Sequence, residues 1–188
     1  DKLYDYIRAG LGEIDYDVIR IHSETYDQSN ATLNLDNMDL LIRGVTEVIL
    51  SDSHNVYIYP VRKEIILKKN RDFVFTGSVK AGMFEFYANE CSFEYDPFRL
   101  NLPTVDSLSF SVKSFEPDYQ GRHKLIRVKN VIEDLGGTLL IDEPRNKSGL
   151  KGLNEFPIFI SEQESYVYYD KDTVYNRDAF MYHVEPFI

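Results

Sequence analysis

DFVFTGSVKAGMFEFYANECSFEYDPFRLNL, residues 72–102, decides the fold, because its apolar residues recur at alternate positions in short runs. Phe73 and Phe75 lead, Gly77 and Gly82 interrupt, and Phe84 and Phe86 resume; Phe93 and Tyr95 follow, and Phe98, Leu100 and Leu102 precede Pro103. Successive side chains of a strand point to opposite faces, so a period of two marks strands with one buried and one wetted face. Helices of any length have no room here.

The same rhythm extends outward. Upstream, Val56, Ile58 and Pro60 alternate with Tyr57 and Tyr59, and Ile65 and Leu67 follow; downstream come Leu108, Phe110 and Val112. Runs spaced roughly 8 to 10 residues apart and bounded by Asn, Asp, Gly and Pro predict an antiparallel meander forming a sandwich or an elongated β-roll. "YDVIRIHS" (16–23) and "ATLNLDNMDLLIRG" (31–44) start the strand structure near Tyr16, with Leu33, Leu35, Leu40 and Ile42 facing inward.

One or two short helices are expected. "KLYDYIRA" (2–9) places Leu3, Tyr6 and Ile7 at helical spacing before Gly10. In "RVKNVIEDLGG" (127–137), Val128, Val131, Ile132 and Leu135 stand at i, i+3, i+4 and i+7, with Gly136 where a left-handed cap would fall. A strand, "TLLID" (138–142), and a loop, "EPRNKSGLKG" (143–152), follow. "SFEPDYQGRHK" (114–124) reads as a linker or a long connection, so the subdomain boundary, if the chain has one, falls near 114–123. Residues 1–188 otherwise read as a single mainly-β domain.

At 188 residues, 43% hydrophobic and 14% aromatic, the chain can build a real core. Its net charge of -10 is uneven: residues 1–40 hold nine acids and three bases, and residues 155–188 seven acids and two bases. Acidic ends around a neutral body argue against nucleic acid, which needs a concentrated cationic face. Arg62, Lys63, Lys68, Lys69 and Arg71 read as solvated hairpin ends. No apolar run of about 18 residues occurs, so no transmembrane segment or signal peptide is expected in this piece. A start at Asp1 suggests an excised part of a longer parent chain.

The one cysteine, Cys91, shares parity with Phe93 and Tyr95 and reads as a buried small hydrophobe. Ser148 to Lys151 spells S-x-x-K, but it shares Ser148 with K-S-G, and its glycines favour a loop over a catalytic helix. His22, His54, His123 and His183 lack metal spacing, so no metal is expected and the histidines read as solvent-facing or hydrogen-bonded on strands. Phosphate-loop, dinucleotide and nucleophile-elbow motifs are missing, and no cofactor is expected. The loop residues Asp142, Asn146, Lys147 and Ser148 remain of interest for their density of polar groups. Asn30 and Asn146 are formal N-glycan acceptors.

Near the end, "SYVYYDKDTVY" (165–175) sends Tyr166 and Tyr168 to one face and Val167 and Tyr169 to the other, and "DKD" signals a turn. A closing hairpin with buried rings and hydroxyls at the rim is the economical reading. Tyr166, Tyr168, Tyr169, Asp170 and Asp172 are the alternative ligand-binding set.

"LSDSHNVYIYP", "LKKNRDFVFTGSVKAGMFEFY", "FEYDPFRLNLPTVDSL", "LLIDEPRNKSG" and "SYVYYD", in that order over residues 50–188, resemble a segment of very long uncharacterised cell-envelope proteins of Bacteroidetes bacteria. The resemblance implies a periplasmic or surface-exposed location, a longer parent and a scaffold or interaction role. It also makes Asp106-Ser107-Leu108 and Asp172-Thr173-Val174 similar to O-glycosylation acceptors of exported proteins, with Ser107 and Thr173 as the modified residues. The "GSVKAG" phrasing resembles the β-rolls of lipopolysaccharide-transport bridge proteins, an analogy of fold alone. Three function classes follow: a non-catalytic envelope module that contacts envelope protein or glycan, a glycan-binding module suggested by the 14 tyrosines, and a carboxylate-dependent hydrolase.

Overall fold

The computed structural model describes residues 7–8, 11, 17–25, 29–128, 132–168 and 181–188. Within them lie fourteen strands: β1 (Arg20–Ser23), β2 (Ala31–Leu33), β3 (Leu40–Arg43), β4 (Val45–Ser51), β5 (Val56–Pro60), β6 (Glu64–Leu67), β7 (Phe73–Ala81), β8 (Phe84–Glu94), β9 (Arg99–Lys113), β10 (Leu125–Arg127), β11 (Ile132–Leu140), β12 (Ile158–Ser161), β13 (Ser165–Tyr168) and β14 (Met181–Val184). All join one antiparallel sheet with the path β1-β4-β5-β7-β8-β9-β11-β13-β14. The remaining strands extend those tracks: β2 and β3 continue β1 and β4, β6 continues β5, β10 precedes β11 along β9, and β12 precedes β13 along β11. Every track therefore pairs with its neighbour in sequence. The expected antiparallel meander is what the chain forms.

The tracks are interrupted at one level. Glu24 N–H donates to the Gly44 carbonyl (2.9 Å), Val45 N–H to Lys63 (2.8 Å), Val61 N–H to Thr76 (3.0 Å) and Glu162 N–H to Gly136 (2.9 Å). Between these points Asn89 lies opposite Thr104, and Lys63, Glu90 and Asp134 take left-handed φ angles of 53°, 53° and 57°. Bulges bend strands, and bulges in register make a crease across the sheet. Close backbone approach demands glycine here: a side chain at Gly77 would overlap the Tyr59 carbonyl oxygen, and one at Gly136 would sit 2.7 Å from the Pro103 oxygen.

The apolar face folds over on itself. In a flat sheet Phe86 on β8 and Phe159 on β12, three strands apart, would be separated by about 14 Å; their ring centroids are 4.8 Å apart. The enclosed core gathers Ile58, Val79, Phe86 and Leu108 from one side of the crease and Phe73, Phe93, Leu100 and Leu139 from the other, all at most 2% exposed. Burying each such side chain contributes about 1.5–3 kcal/mol, which is why the alternating phenylalanines fix the inward face. Cys91 is fully buried opposite Phe75, and burial alone pushes its thiol up to about 12.

Two expectations are corrected, and the connection at 114–124 is a turn. Of the expected helix over 127–137, Arg127 ends β10 and the residues from Ile132 onward belong to β11: the three-residue step from Ile132 to Leu135 passes Asp134 in a left-handed conformation, and Gly136 lies within the sheet, with no helix to cap. Residues 114–124 are the turn of a long β9–β10 hairpin, in which Ser114 N–H donates to the Lys124 carbonyl (2.7 Å). Leu33 and Leu35 are 51% and 75% exposed, on the edge strand and in its turn, whereas Leu40 and Ile42 are half-buried. Of the first expected helix, only Ile7 and Arg8 are described, in helical conformation, with Leu11 N–H bonded to the Ile7 carbonyl at 3.0 Å.

Candidate functional site

The outward face carries a feature that no single strand reveals. Residues directly opposite in an antiparallel pair share a face, and the register aligns one residue from each strand of the main path. His22 lies opposite Glu47, and the Tyr59 hydroxyl donates to Glu47 at 3.1 Å. Tyr59 then faces Ser78, Ser78 faces Tyr87, Tyr87 faces Ser107, Ser107 faces Glu133, Glu133 faces Tyr166, and Tyr166 faces His183. None of the nine is buried, and Tyr59 and Tyr87 are 38% and 36% exposed. The row thus alternates phenol rings with hydroxyls and carboxylates across the whole sheet.

Its members are held in place by one another. The His22 ring sits 3.4 Å from Glu47, and the Tyr166 and His183 rings are 5.5 Å apart. Burial first, then the bond to Glu47, raises the Tyr59 phenol above its ordinary range, so it stays a neutral donor. Two shallow clefts flank the row along the crease. One, of about 690 Å³, sets Arg62, Glu64, Thr76, Asn89 and Glu90 beside apolar residues such as Ile66 and Val74; the polar lining of the other, of about 540 Å³, is Arg99, Asn101, Thr138, Glu162 and Gln163.

A second cluster is buried at one end of the sheet. His54, in the β4–β5 turn, reaches Asp142 beyond β11: His54 Nε2 lies 2.9 Å from Asp142 Oδ2, with the residues 9% and 2% exposed. The carboxylate has no proton to give, so the imidazole N–H donates. Asn146 donates to the same oxygen at 2.9 Å and to the Lys151 carbonyl at 2.9 Å, while Lys151 N–H returns a bond to Asn146 Oδ1 at 3.0 Å. The Ser51 hydroxyl accepts from the His54 backbone N–H (3.3 Å) and pairs with Ser53 (3.0 Å); neither serine bonds the ring. The arrangement fastens loop 141–152 to the β4–β5 turn. Nearby, Phe84, Phe86, Leu139, Phe159, Phe187 and Glu155 help line an apolar cleft of about 390 Å³.

The sequence-derived residues divide accordingly. Asp142 and Asn146 are buried together, and His54, read as a strand or surface histidine, is their partner in a turn. Lys147 points away, donating to the Asp96 carbonyl at 3.3 Å and to the Pro144 carbonyl, over the rings of Tyr95 and Phe98. Ser148 and Lys151 lie in irregular loop with no helix. Ser107 and Tyr166 fall in the outer row. Tyr169, Asp170, Asp172 and Thr173 lie outside the described residues, as does the side chain of Tyr168. Among the described residues no group of three or more His, Cys, Asp and Glu side chains is placed to hold a metal ion, and no helix is long and apolar enough to cross a membrane. Sequence reasoning missed Tyr59 and Tyr87 as partners because pairing register is not written in either strand alone. Compared with protein-family models, curated proteins and solved structures, the chain matches none.

Proposed function

We propose that this chain is a non-catalytic interaction module of a longer cell-envelope protein, periplasmic or surface-exposed, that presents the outward face of its sheet to a partner. The nine-residue row carries the reading. A solvated face needs only scattered polar groups, whereas this one aligns aromatic rings and hydrogen-bonding groups in register from the first strand of the main path to the last. Aromatic residues at a surface supply contact area at low entropic cost, the common currency of recognition surfaces. The meander suits a scaffold because each track rests on its sequence neighbours, leaving the outward side chains free of the core.

The test is site-specific photo-crosslinking in cells that make the parent protein, with a benzophenone side chain at Tyr87 and, for comparison, at the fully exposed Phe115 of the β9–β10 turn. The parent should fractionate with the envelope and give a defined product, protein or polysaccharide, from position 87 but not from 115. Recovery in the cytosolic fraction, or no product from position 87, overturns the reading.

A further inference from the structure

We infer that the outward row is a binding site for an uncharged polysaccharide lying across the strands. The inference rests on the interaction reading above and names its ligand class. Adjacent strands are about 4.8 Å apart, which puts Tyr59 and Tyr87 about 10 Å apart and Tyr166 about 14 Å beyond Tyr87. Between the rings stand Ser78, and then Ser107 and Glu133. A sugar polymer offers what such a track accepts: apolar C–H faces that rest on phenol rings, and hydroxyls at regular intervals that both give and take hydrogen bonds.

Charge selects among polymers. The row holds the carboxylates of Glu47 and Glu133, the adjoining clefts set Glu64, Glu90 and Glu162 against Arg62 and Arg99, and the whole chain carries -10, so acids outnumber bases along the track. Polyanions such as sulfated or phosphorylated glycans are repelled, and nucleic acid is disfavoured for the same reason. Carboxylates accept from neutral hydroxyls without that penalty. The clefts are the second, independent observation. Thr76 and Asn89 lie two residues along their strands from Ser78 and Tyr87, so the larger cleft opens beside the row and gives a polymer depth as well as a flat track.

Affinity electrophoresis of the chain through gels containing hydroxyethyl cellulose, galactomannan, dextran or dextran sulfate tests this directly. Retardation is expected with at least one neutral polymer and not with dextran sulfate. Tyr59→Ala and Tyr87→Ala should each weaken it roughly fivefold, the worth of one aromatic contact. Tyr87→Phe, which keeps the ring, should restore most of it, and Tyr119→Ala in the β9–β10 turn should change nothing. Thermal melts of each variant show that the fold is retained. No retardation, retardation by the sulfated polymer alone, or retardation untouched by both alanine variants overturns the inference. If neutral polymers fail while Tyr87 still crosslinks to a protein, the glycan falls and the interaction reading stands; if both fail, both are removed.

Discussion

The two faces of one sheet are built from the same strands and obey different rules. On β8, Phe86 and Phe93 point inward and are at most 1% exposed, while Tyr87, one residue along, points outward beside Ser78 and Ser107. Inward residues touch partners several strands away, because the sheet folds over its apolar face. Outward residues are placed by register with the strands beside them, as Ser78, Tyr87 and Ser107 are. The inner face therefore specifies the fold, and the outer face can be altered without rebuilding it.

The sharpest way to break this division is from the inside. Phe93 is fully buried, with its ring 4.8 Å from Phe73 and 6.0 Å from Phe98. Phe93→Ala should cost about 4 kcal/mol, read as a lowered urea midpoint. Next comes the polar fastening: Asp142→Ala strands the His54 N–H and one Asn146 donor in a buried site and should cost about 3 kcal/mol. Limited proteolysis should then cut within loop 143–152.

A smaller effect comes from pH. The folded Cys91 thiol titrates near 12 against 9.0 in the unfolded chain. Because the folded value is raised, its contribution is fully present below pH 9 and is lost as pH rises toward 12, by about 1.4 kcal/mol per pH unit. Urea melts of the wild type and of Cys91→Ala at pH 8 and pH 10 should differ in their pH dependence by that amount. Least of all should stability respond to the outside: Tyr87→Ala is expected to stay within about 0.5 kcal/mol of the wild type.

The inner face was legible in the sequence and the outer row was not. Phe73, Phe75, Phe86, Phe93, Leu100 and Leu102 announce themselves by alternation, since each strand carries its own burial pattern. The alternation failed where Asp134 takes a left-handed conformation: from Ile132 to Leu135 the step between inward residues is three, which imitates a helix. Leu33 had the right parity but sits on an edge strand with too little above it. Asp142 and Asn146 stood out as polar residues in a dense loop, yet their partner His54 lies 88 residues from Asp142, a pairing that only the folded-over sheet creates. Tyr166 and Ser107 were noted for local reasons, and the alignment from Tyr59 through Tyr87 to Tyr166 depends on five successive registers.

The division of labour between the faces is tested most directly by one paired measurement on the Tyr59→Ala/Tyr87→Ala double variant: its urea midpoint and its retardation by the neutral polysaccharide that retards the wild type. The account predicts a midpoint close to the wild-type value and a loss of retardation of roughly 25-fold, the product of two independent rings. A collapsed midpoint, or retardation equal to that of the wild type, would contradict it.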